Sequence, residues 1–187
     1  MKYLKKYRLF EKLESDINIE LLEDILIDFI QMGLDYDISV GSSTVLDFDK
    51  LNSERESGNI SSSNISIHSS DIDLYRKGST NESLTIDLFK ESKISEFNLN
   101  DFKDAYDMVS DFLFNEYNLI PNYIYVNHHW KYQYYENFEM LKLDKVGGKL
   151  GTDKDSGWFK GGLDDGESTF NRKYFKAHKV ILGFYRK

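Results

Sequence analysis

Metal binding and proton transfer are the first chemistry to look for, and the residues best suited to both are the histidines, here His68, His128, His129 and His178. His128 and His129 are adjacent, so a strand sends them to opposite faces and they do not grip one ion as a pair. Joining either to His178 requires a strand pairing that the spacing does not disclose. Hard oxygen ligands occur at Asp153, Asp155, Asp164, Asp165 and Glu167, the set that calcium or magnesium prefers. Gly157 stands where an EF-hand loop needs its third ligand, and no glutamate closes a twelve-residue loop, so a turn rich in Asp and Gly accounts for the same letters.

Paired carboxylates offer acid and base roles in glycoside hydrolysis, or metal binding in a nuclease. Asp35 with Asp37 and Asp71 with Asp73 have the two-residue spacing that puts both on one strand face. With 32 acidic residues in the chain, such spacings arise without a purpose. The segment Gly147-Gly148-Lys149-Leu150-Gly151 lacks both the P-loop and the dinucleotide-binding spacing. The serines between 61 and 70 sit in no G-x-S-x-G elbow. Cysteine is absent, which removes thiolate nucleophiles, disulfides and thiolate metal sites. No catalytic, cofactor-binding or metal-binding set is therefore named, and the expectation is a protein that is not an enzyme and carries no cofactor.

The elements that would position any site read as follows. Tyr3, Leu4, Tyr7, Phe10 and Leu13 recur at helical spacing over residues 3–14, with lysines turned outward. A second helix spans 19–32, capped by Asn18 and ended by Gly33, with Leu22, Ile25, Leu26, Phe29 and Met32 as its buried stripe. A third spans about 101–117, capped by Asn100, with Phe102, Ala105, Tyr106, Val109, Phe112 and Leu113 inward and Asp101, Asp104, Asp107 and Asp111 toward solvent. Strands are expected at 36–40, within 60–89 as two or three antiparallel runs, at 123–126 and toward 175–187. The polar segments 52–59 and 76–82 read as turns. The order of helix, leucine and tyrosine-led strand occurs twice, as Leu34 to Val40 and Leu119 to Val126.

This pattern predicts one α+β domain over 1–187, a mostly antiparallel sheet with two or three helices on one face. Its C-terminal portion is elaborated, with 141–173 a long glycine-rich loop region. No run of 18 apolar residues occurs, and the basic N-terminus lacks the apolar core and cleavage pattern of a secretory signal. A cytoplasmic or virion location without membrane contact is the expectation.

Charge is segregated. Residues 1–14 carry five Lys/Arg against two Asp/Glu, residues 15–130 seven against 22, and residues 131–187 twelve against eight. The acidic stretch repels phosphate backbones, so nucleic acid is not the expected partner. Aromatic residues concentrate in YIYVNHHWKYQYYENF at 123–138. Read as one alternating strand, it places Trp130, Tyr132 and Tyr134 on one face and Tyr123, Tyr125 and Tyr135 on the other, leaving both faces apolar.

Surfaces of that kind serve contacts between proteins. The expected interaction residues are Tyr125, Trp130, Tyr132, Tyr134 and Tyr135, together with Tyr7 and Phe10 of the basic amphipathic segment. The expected partners are other protein subunits, in a homo-oligomer or a viral assembly. A composition rich in Asn, Asp, Lys, Tyr and Ile looks like that of proteins encoded by AT-rich bacteria or their phages, and points to a bacteriophage structural or accessory protein. Two alternatives remain: an acidic inhibitor that mimics DNA before a host nucleic-acid enzyme, and a module that stacks single-stranded nucleic acid on its rings.

Overall fold

The computed structural model describes residues 17–61, 64–90, 95–127, 132–143 and 174–187. Asn18 accepts a hydrogen bond from Leu21 N at the start of α1 (Ile19–Ile25), and α2 (Ile27–Gln31) follows after a single break at Leu26, whose carbonyl accepts from Ile30 N. Leu22, Leu26 and Phe29 are the fully buried positions of this pair. Gly33 takes a left-handed φ of 77° and turns the chain into β1 (Asp35–Leu46). The other long helix, α4 (Leu99–Tyr117), is capped by Asn98 rather than Asn100, and ends on the left-handed Asn118.

Between them lie α3 (Phe48–Glu56), β2 (Ile67–His68), a 3-10 turn (Ser69–Tyr75), β3 (Arg76–Phe89) and β4 (Ser95–Asn98). After α4 follow β5 (Leu119–Asn127), β6 (Tyr132–Tyr135), α5 (Phe138–Leu143), β7 (Tyr174–Ala177) and β8 (Lys179–Arg186). Six strands form an antiparallel sheet in the order β1-β3-β8-β5-β6-β2, and β4 pairs with β7 separately. The chain is thus a mixed α+β fold with an antiparallel sheet and a few packed helices, as its periodicity predicts.

Alternation divides the sheet into two faces. Inward point Ile38, Ile86, Leu182, Ile124 and Tyr135, which neighbour one another across five strands. With Leu84, Leu88, Val180, Val126 and Phe184 they meet α1, α2, α4 and α5 in the main core. Phe102 sits at its centre, its ring 5.1 Å from Phe29, 5.5 Å from Phe97 and 6.2 Å from Phe138. A smaller cluster of Leu46, Phe48, Leu51, Ile67 and Tyr75 includes Tyr123 and Tyr134 from the outward face.

The repeated helix-leucine-strand order has a geometric counterpart. Ile86 and Leu182 pair at the sheet centre, Ile38 pairs with Ile86 from one side, and Ile124 pairs with Leu182 from the other. Both leucines are buried, Leu34 just before β1 and Leu119 as the first residue of β5. The second copy is one residue longer because a bulge lies between Pro121 and Tyr123, where buried Asn122 accepts a hydrogen bond from Leu46 N.

Several local expectations are corrected. Residues 48–56 are helical, with Asp47 capping the segment and Phe48 and Leu51 buried. Residues 76–82 are the first half of a continuous strand, because β1 extends to Leu46 and supplies the ladder that their polar side chains do not announce. Residues 69–75 form a 3-10 turn, not a strand. The terminal strand breaks at His178, so that β7 and β8 join different sheets. Residues 141–143 belong to α5. The rest of the glycine-rich region, 144–173, and the helix expected at 3–14 lie outside the described residues.

Candidate functional site: the tyrosine face of the sheet

β5 and β6 are two antiparallel strands, so the single alternating strand expected over 123–138 does not exist. The reversal changes which rings share a face. Tyr125 pairs with Tyr134 and Asn127 with Tyr132, so these tyrosines all point outward, away from α1, α2, α4 and α5, and Tyr134 packs on the smaller cluster that includes Phe48 and Leu51 of α3. Tyr135 pairs with Ile124 and points inward; it is fully buried and its hydroxyl donates to Gln133 Oε1 at 2.9 Å. Its place among the expected interaction residues is therefore corrected: it is core. Trp130, Tyr7 and Phe10 lie outside the described residues.

Register orders the outward face into rows. One row runs Asp37, Asp87, Ile181, Tyr125, Tyr134 and Ile67 across the six strands. A second runs Asp35, Phe89, Lys179, Asn127 and Tyr132, and a third Ser39, Thr85, Gly183 and Tyr123. The face is acidic at β1, carries the Asp87–Lys179 ion pair in the middle and is aromatic at β5 and β6. The Tyr134 ring stands 5.1 Å from Tyr123, nearly perpendicular, and 4.8 Å from Tyr125. Tyr123 lies across Gly183, where an added Cβ would come within 2.5 Å of the ring. Glycine in a central strand marks such a close approach. Tyr132 completes the group and is 41% exposed.

The phenols are held in their neutral form. Burial, aided by Tyr134 and Asp87, pushes Tyr123 up to about 12, and burial with Tyr134 and Tyr132 nearby does the same for Tyr125. Burial also raises Tyr134, opposed by the Arg76 charge. These hydroxyls can donate or accept a hydrogen bond without carrying charge. Rigid rings with polar tips suit a contact surface, because they cover area while losing little side-chain freedom. Tyr123, Ile181 and Gly183 join the site only through the β5–β8 pairing, which the spacing of residues 123–138 does not contain.

The other candidates are dispersed. Asp35 and Asp37 are exposed on the edge strand, Asp73 pairs with Arg76 at 3.2 Å, and Asp71 accepts from the Ser70 hydroxyl. His68 contacts Ser70 through Nδ1 at 2.8 Å, and His178 N donates to Asn127 O. Among the described residues, no three His, Asp or Glu side chains converge as a metal site. Asp101, Asp104 and Asp111 are exposed along α4, while Asp107 is paired with Lys103. No described helix is long and apolar enough to cross a membrane.

Comparison of the chain with family models, curated proteins and solved structures finds no match.

Proposed function

We propose that this chain is a non-catalytic interaction or assembly component and that its tyrosine face is the surface that meets a partner protein. The observation that carries the reading is the grouping of Tyr125, Tyr132 and Tyr134 on one sheet face, with Tyr123 behind them and Tyr132 exposed. Tyrosine is over-represented at the energetic centres of protein interfaces, where its ring is desolvated and its hydroxyl finds a partner. The compositional style supports a bacteriophage setting for this role, as a particle component or an accessory factor that binds a host protein.

Base stacking is the weaker reading of the same rings. Asp35, Asp37 and Asp87 share the face, and its central cation, Lys179, is engaged by Asp87. A phosphate backbone laid there meets net negative charge. The outward carboxylates of α4 supply the observation behind the DNA-mimic reading, in which a basic protein would bind the helix layer instead.

One capture experiment separates the three. Immobilised wild-type chain should retain from host lysate a protein that the Tyr125→Ser, Tyr132→Ser, Tyr134→Ser triple variant loses. Retention of that protein by both, with loss on Asp101→Asn, Asp104→Asn, Asp111→Asn, would transfer the function to α4. Nuclease-sensitive retention that needs the rings would make the face a nucleic-acid platform.

A further inference from the structure

The two edges of the six-stranded sheet are unlike. At one end β2 has two residues and runs straight into the 3-10 turn, which leaves little backbone to pair. At the other, β1 is twelve residues long, its register with β3 is unbroken from Asp35 to Thr44, and no described strand pairs with its far side. Long edges are normally protected by charged side chains, proline, a bulge or a covering element. Asp35–Thr44 contains no proline, its charges, Asp35 and Asp37, stand together at one end, and the irregularity in β1 falls beyond it, between Thr44 and Leu46.

Apolar surface accompanies this edge, which is unpaired among the described residues. Tyr36, Ile38 and Val40 are only partly buried where they meet the main core. Burial and the nearby Glu23 carboxylate of α1 raise the Tyr36 phenol, which places that helix face beside β1. Ile27 and Ile30 follow Glu23 at four and seven residues, on that same face, and are 47% and 41% exposed.

We propose that β1 is a dimerisation strand: two copies of this chain join β1 to β1, antiparallel, about a twofold axis through Ser39. The occupant follows from self-complementarity. A parallel pairing in register stacks Asp35 on Asp35 and Asp37 on Asp37, which like charges oppose. Antiparallel pairing centred on Ser39 sets Asp35 opposite Ser43, Asp37 opposite Gly41 and Ile38 opposite Val40, so each carboxylate meets a hydroxyl or open space. Centring on Asp37 brings the carboxylates together again; centring on Ile38 or Val40 also separates them but stacks one β-branched residue on its own copy, whereas the Ser39 axis pairs Ile38 with the smaller Val40 on both sides. The axis stands perpendicular to the sheet, so both copies keep their helices on one side. Ile27 and Ile30 of the two copies then approach above the seam, adding side-chain burial to the backbone ladder. The product is one continuous sheet of twice the width, closed by a twofold axis and bounded by the short β2 at both ends. The inference is independent of the tyrosine reading, because β1 and the β5–β6 pair lie at opposite sides of the sheet.

Light scattering on the eluting full chain over a wide concentration range tests it. Wild type should run at twice 22.0 kDa. Ser39→Lys and Ser39→Glu each place like charges directly opposite one another across the axis, and each should weaken the dimer by about fivefold or more. Mixing the two should restore a dimer that contains one of each. Ile30→Asp, exposed in the monomer, should also weaken it, and it replaces the Ser39 pair if near-ultraviolet dichroism shows either of those variants misfolded. A wild type that stays at 22.0 kDa throughout overturns the proposal. So does a dimer indifferent to these substitutions, or a Lys and Glu mixture no tighter than its components.

Discussion

The two faces of the six-stranded sheet have the same backbone and alternate residue by residue, yet they have been built to opposite ends. Along β8 the inward positions Val180, Leu182 and Phe184 are buried aliphatic and aromatic side chains, whereas the outward positions Lys179, Ile181 and Tyr185 are only partly covered. Tyrosine shows the contrast best. Tyr135 is enclosed by apolar neighbours with its hydroxyl satisfied by Gln133, while Tyr134, one residue earlier, stands in an edge-on cluster at the margin of solvent. An inward ring stabilises the main core; of the outward rings, Tyr123 and Tyr134 pack on the smaller cluster, and Tyr132 leaves apolar area at the surface. That exposed area is why the outward face is the one proposed to meet a partner.

Substitutions on each face can break this contrast. The largest effect belongs inside: Phe102→Ala removes a ring that contacts three others and should cost about 3–5 kcal/mol in denaturant unfolding. Alkaline titration comes next. Tyr106 and Tyr123 are held neutral up to about 12 in the fold but ionise near 10 when unfolded. Their contribution is therefore complete below pH 10. It falls as pH rises toward 12, by on the order of 1.4 kcal/mol per pH unit for each phenol. Absorbance of tyrosinate should show a late-ionising group made up of these phenols with Tyr75 and Tyr125, which burial likewise pushes up to about 12, until the chain unfolds.

Smaller effects sharpen the boundary between the faces. Asn122→Ala leaves Leu46 N without its buried acceptor and should cost about 1–3 kcal/mol. Gly183→Ala drives a methyl into the Tyr123 ring; about 1–3 kcal/mol should be lost and the near-ultraviolet tyrosine signal should change. Tyr132→Ser should alter stability by no more than about 0.5 kcal/mol, since the residue is exposed and belongs to neither core cluster. A large loss there would mean that Tyr132 is structural and the contrast is drawn in the wrong place.

The long helices were legible because their stripes recur at 3.6 residues and their ends carry Asn18, Gly33 and Asn118, whose preferences are local. The polar half of β3 was not legible: Arg76 to Glu82 has turn composition and becomes a strand only because β1 lies beside it. Phe48 and Leu51 are too few to announce α3 among NSERE. The site was half legible. Aromatic density at 123–138 located it, but the face of each ring depends on where the chain reverses, and one missed reversal exchanged Tyr135 for Tyr123. Register with β8, set by residues some 60 positions away, decides what surrounds them.

The most direct test of the outward face as a contact surface is site-specific photo-cross-linking in host cells, with the reactive side chain placed in turn at Tyr132, Asp111 and Val126. Cross-links from position 132 to a partner protein, with none from buried position 126 and few from position 111, are the predicted result. Cross-links that arise mainly from position 111, or none to any protein from position 132, would contradict it.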